Sequence, residues 1–95
     1  MTLGEKIRIL RDNKGLTQRE VGYIIGLDGT YISQIELNKK SLKRSHLKML
    51  ADFFEIRENE LQTLWLSDKV FKIVEKEENA KESINIVLKK LKEIN

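Results

Sequence analysis

Few residues in this chain can do covalent or metal chemistry. His46 is the single histidine and there is no cysteine. Thiol nucleophiles, disulfides, cysteine-ligated zinc, iron–sulfur clusters and histidine metal sites are therefore excluded. With one histidine and no pair of acids set to face inward, an enzyme is not expected, and neither is a cofactor. The lack of cysteine fits a reducing compartment, so a cytoplasmic location is expected. What remains is binding. The formal charge is only +3 over 95 residues, but it is unevenly spread. Residues 1–56 hold ten Lys/Arg against seven Asp/Glu, whereas 57–95 hold eight of each. Five of those ten cations (Lys39, Lys40, Lys43, Arg44 and Lys48) fall in one short stretch, dense enough to attract a polyanion.

The elements that must hold this cluster are helical. Leu, Ile, Val and Phe make up 31 of the 95 residues, enough for a packed core. Apolar runs are only a few residues long, so no membrane span is expected, and the start MTLGEKIRIL lacks a signal-peptide core. Thr2 to Glu5 reads as a capping box, opening a first helix with Leu3, Ile7 and Leu10 on one face and Gly15 as its left-handed stop. Thr17 to Glu20 is a second capping box, with Val21, Ile24 and Ile25 inward and Gly26 after the end. Asp28 can cap a third helix, Gly29 to Leu37, with Ile32 and Ile35 inward and Asn38 as terminator. A basic connector leads to a fourth helix striped by Leu47, Leu50, Ala51 and Phe54. A longer fifth helix runs from Glu58 towards Glu77 and carries Leu61, Leu64, Trp65, Val70, Phe71 and Val74. A sixth, after Asn79, has Ile84, Val87, Leu88, Leu91 and Ile94 on one face. The expectation is an all-α chain of about six helices.

Gln18 to Leu37, QREVGYIIGLDGTYISQIEL, has the spacing of a helix-turn-helix. Gly22 is small where the two helices cross, and Gly26 supplies a positive φ in the turn. Val21, Ile25, Leu27, Ile32 and Ile35 fill the positions that must be apolar to lock one helix across the other.

With these residues in place, 1–65 resembles the Cro and phage-repressor type of helix-turn-helix domain, also called the xenobiotic-response-element family. The likeness is carried by IRILRDNKGLTQREV, Gly26, TYISQIE and LKMLADFFEI. It implies five helices around one core, a DNA-binding domain over 1–57, and the third helix (29–37) in the major groove. It implies that Thr30, Ser33 and Gln34 read base edges. A glutamine offers adenine a donor and an acceptor, and a threonine methyl suits the thymine methyl. Gln18, Lys39, Lys40, Lys43 and Arg44 match positions that grip the DNA backbone. Tyr31 shares that surface, either on a phosphate or simply exposed. Arg11 and Glu36 match a buried structural ion pair. Departures are visible too. Gly29 stands where several relatives have a long polar base reader, Leu37 and Asn38 replace a common Arg-Gly or Asn-Gly, and Lys43 is a poor helix cap.

His46 reads as a partly exposed helical residue and Tyr23 as packing at the domain edge. In the helical extension 58–95, Trp65, Leu66, Val70 and Phe71 are either core beneath the last helix or, with Leu88 and Leu91, a homodimer interface. Dimerisation suits repressors that read two half-sites of a pseudo-palindromic operator. The expected function is thus a sequence-specific transcriptional regulator whose partners are double-stranded DNA, a second copy of itself and RNA polymerase. No membrane or small-molecule ligand is expected. Size and architecture resemble restriction–modification controller proteins and phage repressors, and LWLSDKV resembles an extension of regulators encoded beside DNA methyltransferases. The alternative is a protein-interaction module, an antitoxin or anti-repressor, that holds a partner protein with its C-terminal helices.

Overall fold

The computed structural model describes residues 1–94. Its elements are α1 (Leu3–Asn13), α2 (Gln18–Ile25), α3 (Gly29–Glu36), α4 (Arg44–Phe54), α5 (Glu58–Val74) and α6 (Ala80–Ile94). No strand occurs among the described residues, so the fold is all-α.

Local chemistry sets most of the boundaries. At α2 the capping box is complete: the Glu20 amide donates to Thr17 Oγ1 at 3.1 Å, and the Thr17 amide to Glu20 Oε1 at 2.9 Å. The Thr17 amide first, and the nearby Thr17 hydroxyl second, hold the Glu20 carboxyl below its ordinary pKa. Asp28 caps α3 by accepting from the Tyr31 amide at 2.7 Å. Gly26 ends α2 in the left-handed region at φ 75°. The box expected at α1 is only half formed. Thr2 Oγ1 accepts from the Glu5 amide, but Glu5 does not reach back. The next amide, that of Leu3, donates to Asp68 Oδ2 at 3.0 Å, a tertiary cap from α5. At α4, Lys43 makes no side-chain cap, and its own amide donates to His46 Nδ1 at 3.1 Å.

The helices close around one core. Ile7, Val21, Ile25, Ile32, Ile35, Leu47, Leu50 and Leu61 are all buried in it, and Ile24 only partly. Each fully buried aliphatic side chain contributes about 1.5–3 kcal/mol. α2 and α3 share the most extensive helix contact. A Cβ on Gly22 would strike the carbonyl oxygen of Leu27, and one on Gly4 that of Ile35, so both crossings need glycine. The core does not stop at residue 57. Leu61 is fully buried, and α5 packs on both α4 and α1.

The C-terminal half of the extension behaves otherwise. No residue of α6 is buried, and α6 makes no extensive contact with any other helix. Leu66, Val70 and Phe71 are exposed as well, so they are not core beneath the last helix. The chain exposes 7137 Å², whereas a compact monomer of this size exposes about 5,700 Å². Its radius of gyration is 15.1 Å, against about 12 Å for a compact domain of this length. No helix among the described residues is long and apolar enough to cross a membrane.

Candidate nucleic-acid interface

With Ile32, Ile35 and Glu36 turned inward, α3 leaves Thr30 exposed and Ser33 and Gln34 partly so. Spacings of three and four residues place these three polar side chains on one helix face. Thr30 and Ser33 line an open groove shared with Gln18, Arg19 and Tyr23 of α2.

Behind this face, Glu36 anchors α3 to the rest of the body. Arg11 donates to it twice, from Nε to Oε2 at 2.7 Å and from Nη2 to Oε1 at 3.0 Å, and Gln18 Nε2 adds a third bond to Oε1 at 3.1 Å. Arg11 Nη1 donates to the Leu16 carbonyl at 2.9 Å, so α1, the α1–α2 turn, α2 and α3 meet at one carboxylate. Glu36 is 8% exposed, and no buried side-chain polar atom is left unpaired among the described residues. Hydrogen bonding to Glu36 raises the Arg11 pKa further. Gln18 therefore faces inward with one amide hydrogen. A second amide hydrogen and the side-chain oxygen remain to it.

The connector between α3 and α4 carries the cations. Lys39, Lys40, Lys43 and Arg44 are exposed. Among the described residues none of them, nor Lys48, lies within 4.0 Å of a carboxylate. Their charge is left uncompensated beside the polar face of α3. Arg44 is partly engaged with α5, its guanidinium donating to Gln62 Oε1 at 3.1 Å and lying 4.5 Å over the Trp65 ring. The Tyr31 hydroxyl donates to the Ser41 carbonyl at 2.9 Å, and Lys40 Nζ sits 5.4 Å over its ring. Tyr31 thus holds the connector, its proton already committed.

A family model described as a helix-turn-helix domain matches residues 4–65, about two-thirds of the chain. The chain belongs to the helix-turn-helix domain family. Neither the curated proteins nor the solved structures searched gave a match. As a helix-turn-helix protein the chain is a DNA-binding one, with α2 and α3 as its motif. The matched stretch runs through Trp65, in step with the burial of Leu61 in the same core.

Two residues of the groove between α2 and α3 were not foreseen from sequence. Tyr23 does not pack at the domain edge; it is 89% exposed, standing out from α2. Arg19 lies beside Gly29, whose Cβ would come 3.2 Å from the Arg19 Cα. Gly29 is thus where the first turn of α2 closes on α3. A basic residue in a first turn, where the helix dipole favours an acid, was the available signal for Arg19. His46 is partly buried, and its Nδ1 accepts the Lys43 amide. Burial first, and the Lys43 charge second, push its pKa below the ordinary imidazole value. Among the described residues no group of His, Asp and Glu is placed to hold a metal ion.

Proposed function

We propose that this helix-turn-helix protein is a transcriptional regulator that binds a pseudo-palindromic operator as a homodimer. Insertion of α3 into the major groove puts Thr30, Ser33 and Gln34 against base edges. Gln18, Lys39, Lys40, Lys43 and Arg44 then follow the phosphates. The observation that carries this reading is the run of uncompensated connector cations beside the one polar face of α3. Phosphate contacts supply most of the affinity in such an arrangement, and affinity falls steeply with salt.

The dimer is supported by the surface excess. About 1,400 Å² beyond a compact monomer exceeds the roughly 800 Å² per partner of a standard interface. A second copy covers it through Leu66 and Val70 of α5 and Leu88 and Leu91 of α6. Trp65 lies nearer the body, half-buried and bonded to Leu42. Phe71 lies a different way round α5 from Leu66 and Val70, prolonging the core-facing spacing of Leu61, Leu64 and Asp68. Control through protein concentration and cooperative filling of operators, as in controller-type regulators and phage repressors, fits these parts.

The test is selection of bound duplexes from a random pool, joined to sedimentation at tens of micromolar. Paired half-sites about 34–36 Å apart and a dimer are expected. A monomer with and without the selected DNA would defeat the dimer. A monomer whose apolar helices capture a protein partner would favour the interaction-module reading.

A further inference from the structure

The segment from Lys39 to Lys43 is not helical, yet it must hold its cations in register with α3. Two aromatic side chains from different helices fix it. Tyr31 of α3 donates its hydroxyl to the Ser41 carbonyl at 2.9 Å, and Trp65 of α5 donates its indole N–H to the next carbonyl, Leu42, at 2.7 Å. Between these anchors the Leu42 side chain inserts into the core, 3% exposed.

The hold from α5 is more than one bond. Glu58, Gln62, Trp65 and Lys69 recur at intervals of four, three and four residues, one stripe along the helix. Gln62 donates to Glu58 and accepts from Arg44. The Arg44 guanidinium and the Lys69 ammonium each lie 4.5 Å over the Trp65 ring. Cation–π attraction of this kind favours Trp over other rings, and Arg44 sits at the start of α4, directly after the connector.

We propose that Trp65 is a positioning residue for DNA binding: through its N–H and its ring it holds the Lys39–Arg44 connector where the cations meet phosphate. The inference rests on the DNA-binding reading above. It also gives α5 two adjacent stripes with two tasks. One holds the connector, and the other, with Leu66, Val70 and Ile73, is exposed. A regulator so built grips DNA more firmly when α5 is held in place.

The experiment compares the full-length protein with Trp65→Phe, which keeps a ring and loses the donor. Affinity for the selected operator and for a random duplex is measured across a range of salt. Trp65→Phe should bind both duplexes about five- to tenfold more weakly, and the slope of log affinity on log salt should shrink by about one contact. Loss with an unchanged slope marks a smaller folded fraction only and overturns the proposal, as does wild-type affinity. Because Trp65 is the single tryptophan, its emission in the unsubstituted protein gives an independent reading. Saturating DNA should change that emission as Arg44 and the connector engage phosphate; an unchanged spectrum overturns the proposal even if Trp65→Phe does not fold. If the unsubstituted protein binds neither duplex, DNA binding itself falls and this inference with it. Binding with no effect at Trp65 removes only the inference.

Discussion

The body that ends in the first turns of α5 and the helix that follows them obey different rules. In the body, every helix has an apolar face that another helix covers, and its buried carboxylate is met by three donors. In α6 the apolar face is just as regular, with Val87, Leu88 and Leu91 at helical spacing, yet it is about half exposed. A 15-residue helix is marginal in water without tertiary packing. The pattern in α6 therefore describes a surface that its own chain leaves uncovered, and the pattern in α1–α5 one completed within it. Amphipathic spacing shows that a helix has an apolar face; it does not say what, if anything, in its own chain covers that face.

The largest effects should divide along that line. Replacing Arg11 by Ala leaves the Glu36 carboxylate buried without its main partner and should cost about 3–5 kcal/mol in denaturant unfolding; a loss under 1 kcal/mol would mean the carboxylate finds water. Leu61→Ala should cost about 2–5 kcal/mol, because the site is closed. Leu88→Asp, by contrast, should leave unfolding of the body unchanged at low concentration and abolish the dimer in sedimentation. Equal damage from Leu61→Ala and Leu88→Asp would erase the distinction between the two regions.

Within the body, the division is between reading and gripping. Gln34→Ala should cost about 1–3 kcal/mol on the selected operator and little on random DNA. Lys39→Ala or Lys40→Ala should weaken both alike and flatten the salt slope by about one contact. A matching loss for Gln34→Ala on both duplexes would move it from bases to phosphates. Smallest is the pH effect of His46. Its folded pKa lies below the ordinary imidazole value, so its contribution is whole above about pH 6.5. As pH falls below that, the unfolded chain takes the proton first, and stability declines until the lower folded pKa is passed. His46→Gln, measured by thermal unfolding between pH 7 and 5, should remove that part of the decline; an identical profile would exclude His46 as its source.

What could be read from sequence was mostly what acts within a few residues. Thr17 with Glu20, Asp28 and Gly26 set their helix ends through neighbours no more than four positions away, so each left a local signature. Gly22 was legible because the helix-turn-helix spacing states where the crossing falls. Gly4 was not, since the carbonyl it must avoid belongs to Ile35. Nor was the tertiary cap on α1, because the carboxylate that accepts from the Leu3 amide belongs to Asp68. Tyr31 looked equally fit for phosphate or solvent because Ser41 is brought to it only by the fold. Trp65 looked like an interface residue for a similar reason: its hydrogen-bond partner lies 23 positions earlier.

The bond from the Leu3 amide to Asp68 ties together residues 65 positions apart. It closes nearly the whole body into a ring, and a contact of that separation has to wait until the chain between is already arranged. The first turn of α1 should then be the last part of the body to become protected during refolding. In the native protein, hydrogen exchange at Leu3 reports whether α5 is docked, and Asp68→Asn should speed it without disturbing α3.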